Sequence, residues 1–134
     1  MLSPPAIRCQ PLLGMIALVL LMGCGEARPP LASAGPVHPW ADADVVHGRQ
    51  LVQDYGCLAC HTMPGVRAPA SRVGPALDNI ALRAYVGGVL ANTPDNLLRW
   101  LLDPPAVDPR TSMPNVGLSV AEAQDIAAYL LTLH

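Results

Sequence analysis

The chain has 134 residues, enough for one domain, and sets eight basic residues, all Arg, against ten Asp and Glu, a formal net charge of −2. That balance supplies no basic stripe to neutralise phosphates, so it argues against a nucleic-acid role, and the absence of Lys argues against a Lys-built docking face. Fifteen Pro, no Phe and four Cys leave little aromatic volume for a core and imply no disulfide framework.

Residues 1–23 read as an export signal. Arg8 supplies positive charge, Leu12 to Met22 is almost wholly apolar, and Leu21-Met22-Gly23-Cys24 follows. The apolar run is well short of the roughly 20 residues that span a bilayer as a helix. Its end resembles a bacterial lipoprotein signal, although Met22 stands where a small residue is more usual. That likeness implies that Cys24 is lipid-modified and becomes the new N-terminus, on the periplasmic side of the bacterial cell envelope. An uncleaved membrane helix and an ordinary cleaved signal are the alternatives. Residues 24–39 are then the anchor Cys and a flexible linker, rich in Pro and Gly and without apolar period. Fifteen such residues reach about 20 to 25 Å on average.

The globular domain is placed at 40–134. Asp42 or Asp44 can cap a helix running to about Asp54, with Val45, Leu51, Val52 and Tyr55 as a partial apolar stripe and Gly56 as its stop. Residues 62–82 read as loop. Thr93 as cap and Pro94 at the first position open a second helix, ending near Asp103 ahead of Pro104 and Pro105. Ser119-Val120-Ala121-Glu122 is a capping box for the last helix, whose Ile126, Ala127, Leu130 and Leu133 share a face. No segment reads as a strand, so the fold class is all-α.

Residues 57–61 carry the chemistry. Cys57-Leu58-Ala59-Cys60-His61 is the attachment pattern of c-type haem. Positions three apart share a face of a helical turn, so Cys57 and Cys60 can each form a thioether to one vinyl group, and His61 can bring an imidazole nitrogen to the iron. A redox Cys-x-x-Cys pair is the alternative, but it has no need of the following His. A domain of about 95 residues with so few aromatics has a thin protein core. One buried haem would supply the missing apolar volume, and the haem-free chain is expected to be largely unfolded.

What fills the sixth iron position decides the function. Past residue 24 the thioethers are Met63 and Met113. Met63 is two residues from His61 and cannot easily reach the other haem face. Met113 lies in the polar loop Pro109-Arg110-Thr111-Ser112-Met113-Pro114, where a packing role is not obvious, and is the expected second ligand. His47 and His134 are its rivals, both read as surface residues.

From about Asp44 to the end the chain resembles a small class I c-type cytochrome with one His/Met-ligated haem. Gly48, in Gly-Arg-Gln-Leu-Val, matches the family's glycine where the terminal helices cross, with Tyr129 and Leu130 on the other side; Val52 stands where an aromatic is frequent. Gly74-Pro75-Ala76-Leu77 is similar to the family's Gly-Pro-x-Leu, which implies that the Pro75 carbonyl accepts a bond from the other ring nitrogen of His61. The same resemblance points Arg83 at a haem propionate, places Trp100 on the Met side of the haem, and makes Thr111 a propionate or loop contact. It implies three to four helices packed around one covalent haem.

His/Met ligation leaves no position for a substrate, so the resemblance implies an electron carrier and not an enzyme, with redox proteins as donor and acceptor and no small-molecule substrate. The expected setting is a respiratory or related envelope chain, as a tethered carrier or a subunit of a larger complex. A labile Met113 would instead suit a gas sensor or a peroxidase-like enzyme, although no distal acid–base group stands out for peroxide chemistry.

Overall fold

The computed structural model describes residues 39–134 apart from 68 and 70; the signal, Cys24 and the linker up to residue 38 lie outside the described residues. Four α-helices carry the domain: α1 (Val45–Asp54), α2 (Pro94–Leu102), α3 (Pro104–Val107) and α4 (Val120–Leu130). Two 3₁₀ turns, Cys57–Ala59 and Ile80–Leu82, and the strands β1 (Tyr85–Val86) and β2 (Leu90–Ala91) join them.

Each helix starts where a side chain can satisfy its free N–H groups. Asp44 accepts from Val46 and His47 at 2.8 and 3.0 Å, and Thr93 from Asn96 at 3.3 Å, with Pro94 next. At α4 the box closes both ways: Ser119 Oγ accepts from the Glu122 N–H at 3.3 Å, and the Glu122 carboxylate from the Ser119 N–H at 2.9 Å. α1 stops at Tyr55 because Gly56 turns left-handed at φ 70°.

Two expectations give way. Pro104 and Pro105 do end α2, yet they also begin α3, because Asp103 accepts from Ala106 at 3.3 Å and a Pro fits the first turn, where no donor is missed. Where no strand was expected, a two-stranded antiparallel hairpin follows the 62–82 loop, pairing Tyr85 with Ala91 and Val86 with Leu90. Strands of two residues are too short to show alternation. Gly87 and Gly88, both left-handed, make its turn.

The core sits where α1 crosses α4 and α2 packs on α4. Val52, Leu97, Ile126 and Ala127 are fully buried there. Burying Leu97 or Ile126 contributes about 1.5–3 kcal/mol each. Gly48 makes the crossing possible: a Cβ on it would lie 2.0 Å from the Asp125 carbonyl oxygen and 2.9 Å from the Ile126 nitrogen. The closest approach is therefore at Asp125 and Ile126, one turn before Tyr129 and Leu130, which are buried core.

Candidate functional site

The turn after Gly56 is held by the Cys57 carbonyl, which accepts from Cys60 at 3.2 Å and from His61 at 3.0 Å. The chain returns beside it through two backbone bonds, Gly74 N–H to Cys60 at 2.9 Å and Leu77 N–H to Thr62 at 2.8 Å. Those bonds bring the Pro75 carbonyl to 2.7 Å from His61 Nδ1. A carbonyl only accepts, so Nδ1 carries the proton and Nε2 keeps its lone pair as a ligand. Space beside the ring is tight. A Cβ on Gly74 would lie 2.5 to 2.9 Å from three atoms of the His61 imidazole, so glycine there is what lets the ring take this seat.

The loop after α3 is fastened by its own polar groups. Asp108 accepts from the Arg110 backbone N–H at 3.0 Å, and that bond leads in holding its carboxyl below the usual range. Thr111 N–H donates to the Asp108 carbonyl at 3.0 Å, and Thr111 Oγ1 accepts from the Met113 N–H at 3.1 Å. Of the two roles expected for Thr111, the described structure displays the loop contact. Met113 itself is half-buried and packs against the core.

One cavity of about 610 Å³ receives Cys57, Cys60, His61, Pro75, Arg83, Trp100, Thr111 and Met113 together. All eight residues read from the sequence line it. Trp100 is buried, and its ring lies so close to Gly87 that a Cβ there would stand 2.6 to 2.7 Å away. Arg83 enters from the far loop with Nη2 donating to the carbonyls of Ala76 and of Asp78, the latter at 2.9 Å. The rival histidines lie elsewhere. His47 pairs with Asp125 at 2.8 Å on the outside of the helix crossing, and His134 is exposed at the end.

Sequence reasoning missed several residues. Met63 was set aside as a ligand, yet it is buried and lines the cavity as packing. Tyr55 also lines it and donates to Glu122 at 2.8 Å, tying the end of α1 to the start of α4. Arg49 donates to the Gly65 carbonyl at 2.6 Å and pins the following loop. Only the capping box hinted that Glu122 had a task; the other partners are far apart in the chain.

A void of this size falls in the range of roughly 300–1,000 Å³ used by ligands and cofactors. Its wall is mostly apolar, with two thiols, a lone-pair imidazole and a thioether, and Gly74 and Gly87 are cleared of side chains where they meet His61 and Trp100. That donor set fits a haem carried by two thioethers. Burial pushes the Cys57 thiol up, away from the lowered value that favours a reactive thiolate.

The family model described as cytochrome c matches residues 45–134. The chain belongs to the cytochrome c family. It is 34% identical over 91 residues to cytochrome c-552 of Bradyrhizobium diazoefficiens, covering 68% of this chain and 76% of that protein. It is 32% identical over 87 residues to cytochrome c oxidase subunit 2 of Alkalihalophilus pseudofirmus, covering 64% of this chain. The match spans 25% of that longer subunit. Among solved structures, cytochrome cH from Methylobacterium extorquens aligns with TM-score 0.49 and 24% identity, over 67% of this chain and 99% of that one.

The expected all-α cytochrome c fold is therefore the fold of this chain, and its cofactor is haem c, bound through Cys57 and Cys60. Cytochromes c carry electrons, and this cytochrome does so too. When bound, haem supplies an iron that alternates between two oxidation states and so exchanges single electrons. The chain's part is to orient the His61 ring through Pro75, to present the Met113 loop and to surround the group with a mostly apolar wall.

Proposed function

We propose that this cytochrome is a membrane-tethered, monohaem electron carrier of the bacterial envelope, delivering electrons to a respiratory oxidase as a free carrier or as a subunit of the complex. His61 and Met113 are its axial ligands, and Cys24 is its lipid anchor. The observation that carries this reading is the His61 to Pro75 bond at 2.7 Å, which reserves Nε2 for metal in the cavity that also holds Met113. With both axial positions filled by the protein, no substrate site remains on the iron.

Two further facts support this choice of partner. The matched segment of one relative lies within an oxidase subunit, which favours an oxidase as acceptor. Around the cavity, Val73 and Tyr85 are largely solvent-exposed and Val116 partly so, and among the described residues Arg83 is the one Arg, Lys, Asp or Glu in the lining. An apolar rim of this kind favours docking by desolvation, with weak dependence on ionic strength.

The exported protein from a host that attaches haem c tests the reading. It should carry the mass of one haem plus a lipidated Cys24, and the ferric form should display the Met–iron charge-transfer band. The reduced native form should resist carbon monoxide, while Met113→Ala should bind it rapidly. Rapid binding by the native protein would replace the carrier by a gas sensor, and cross-links to no redox protein in the native membrane would remove the oxidase assignment.

A further inference from the structure

Asn92 is a residue to which neither the haem motif nor the ligand loop assigns a task. It stands between β2 and the cap of α2, half-buried. Two of its groups make three hydrogen bonds to one short stretch of chain. Its Nδ2 donates to the Ile80 carbonyl at 2.7 Å and to the Arg83 carbonyl at 3.0 Å, and its backbone N–H donates to Ala84 at 2.9 Å. Its Oδ1 is buried and, among the described residues, has no partner. Turning the amide over would set that oxygen against two carbonyls, so the donor orientation is fixed. An orphaned acceptor is a cost, and the two bonds to segment 80–83 offset it.

Arg83 is the residue those bonds hold. Its backbone N–H donates to Ile80 at 3.2 Å, its carbonyl is taken by Asn92, and its Nη2 is spent on the carbonyls of Ala76 and Asp78. Among the described residues Nε and Nη1 have no hydrogen-bond partner, and Arg83 lines the cavity. Among the described residues it is the one permanent charge in that wall. A fixed cation beside a low-dielectric cavity favours the less positive, reduced state of an iron held there, and the size of the effect depends on where the cation stands.

We propose that Asn92 is a positioning residue for the haem: by clamping the backbone at Ile80 and Arg83 it sets the place of the Arg83 charge, and so acts on the reduction potential through Arg83. This rests on the cavity holding haem c, which the mass of each purified holoprotein checks separately.

The test is a double-substitution cycle on the holoprotein, with the midpoint potential as readout. Arg83→Gln should lower the potential. Asn92→Ala should lower it in the same direction, and the double variant should sit at the Arg83→Gln value. Asn92→Ser, which keeps one donor, should fall between native and Asn92→Ala, and it replaces the alanine variant in the cycle should that one not fold. A variant that loses thermal stability while its potential stays native would make Asn92 a structural brace only and overturn the proposal. So would two shifts that simply add, or an Arg83→Gln protein at the native potential.

Discussion

The two ends of this domain are stabilised by different materials. At the helix crossing, protein meets protein: Gly48 lets α1 settle on the Asp125 and Ile126 backbone, and Val52, Ile126 and Ala127 are sealed beneath it. Around the cavity, by contrast, the wall comes mostly from loops, among them 56–63, 73–77 and 111–116, with Trp100 of α2 and the cavity-facing Val52 and Ile126 of the crossing helices closing it, and it leaves about 610 Å³ unfilled. The crossing needs only side chains of the right size. The loop half needs something apolar to close around, which is why a small chain without Phe can be a cytochrome and could hardly be a stable domain otherwise.

The sharpest way to break this contrast is to remove the covalent attachment. Cys57→Ser with Cys60→Ser should leave a chain that lacks cooperative thermal unfolding and near-ultraviolet circular dichroism. A native-like melting transition in that variant would mean the loop half holds together unaided. The next largest effect belongs to the crossing itself. Gly48→Ala places a methyl 2.0 Å from a carbonyl oxygen, and backbone cannot rotate away as a side chain would. Overpacking typically costs 1–3 kcal/mol, so a loss of about 3 kcal/mol is expected in denaturant unfolding of the holoprotein. Unchanged stability would show that the helices part freely.

Gly74→Ala carries the comparison to the loop half at smaller scale. Its Cβ would meet the His61 ring at 2.5 Å. A side chain can yield where backbone cannot, at the expense of its bond to Pro75, so the expected cost is about 1–2 kcal/mol, lower than at Gly48. The distinguishing signature is spectroscopic: a strained His61 to Pro75 bond should alter the haem absorbance and lower the midpoint potential, whereas Gly48→Ala should change stability with little effect on either. Equal spectra for the two variants would erase the distinction between the halves.

What the sequence disclosed follows the same division. The haem turn and the caps at Thr93 and Ser119 are local patterns, each set by residues within a few positions of one another, and of Asp42 and Asp44 the structure uses Asp44; the Pro75 acceptor, 14 positions from His61, was legible only through the family resemblance. The hairpin was invisible because two-residue strands carry no period, and α3 because a proline pair signals a stop before it signals a start. Asn92, the Tyr55 bond to Glu122 and the His47 pair with Asp125 span 9 to 78 positions in the chain. Long-range pairings of this kind follow from the packing, which no spacing rule encodes.

The gentlest probe of the crossing is pH. Asp125 on α4 bonds the His47 ring and raises its pKa above the ordinary 6.5, against a smaller opposing effect of burial; Asp44 and Glu122 face the same ring and act in the same direction as Asp125. A raised folded pKa means protonated His47 is the form the fold favours. That contribution is complete below pH 6.5 and is lost as the pH rises through the folded value. Asp44 and Glu122 run the other way. The His47 and Val46 N–H groups hold Asp44 low, the Ser119 hydroxyl leads in holding Glu122 low, and their contributions are lost as the pH falls below the carboxylate range. The holoprotein should therefore be most stable between about pH 4.5 and 6.5 and soften toward pH 8. His47→Gln should flatten the fall between pH 6 and 8 in thermal melts and change the acid side less, because backbone and Ser119 bonds lead in holding Asp44 and Glu122 low. An identical slope in that variant would place the pH sensitivity elsewhere and leave the crossing held by packing alone.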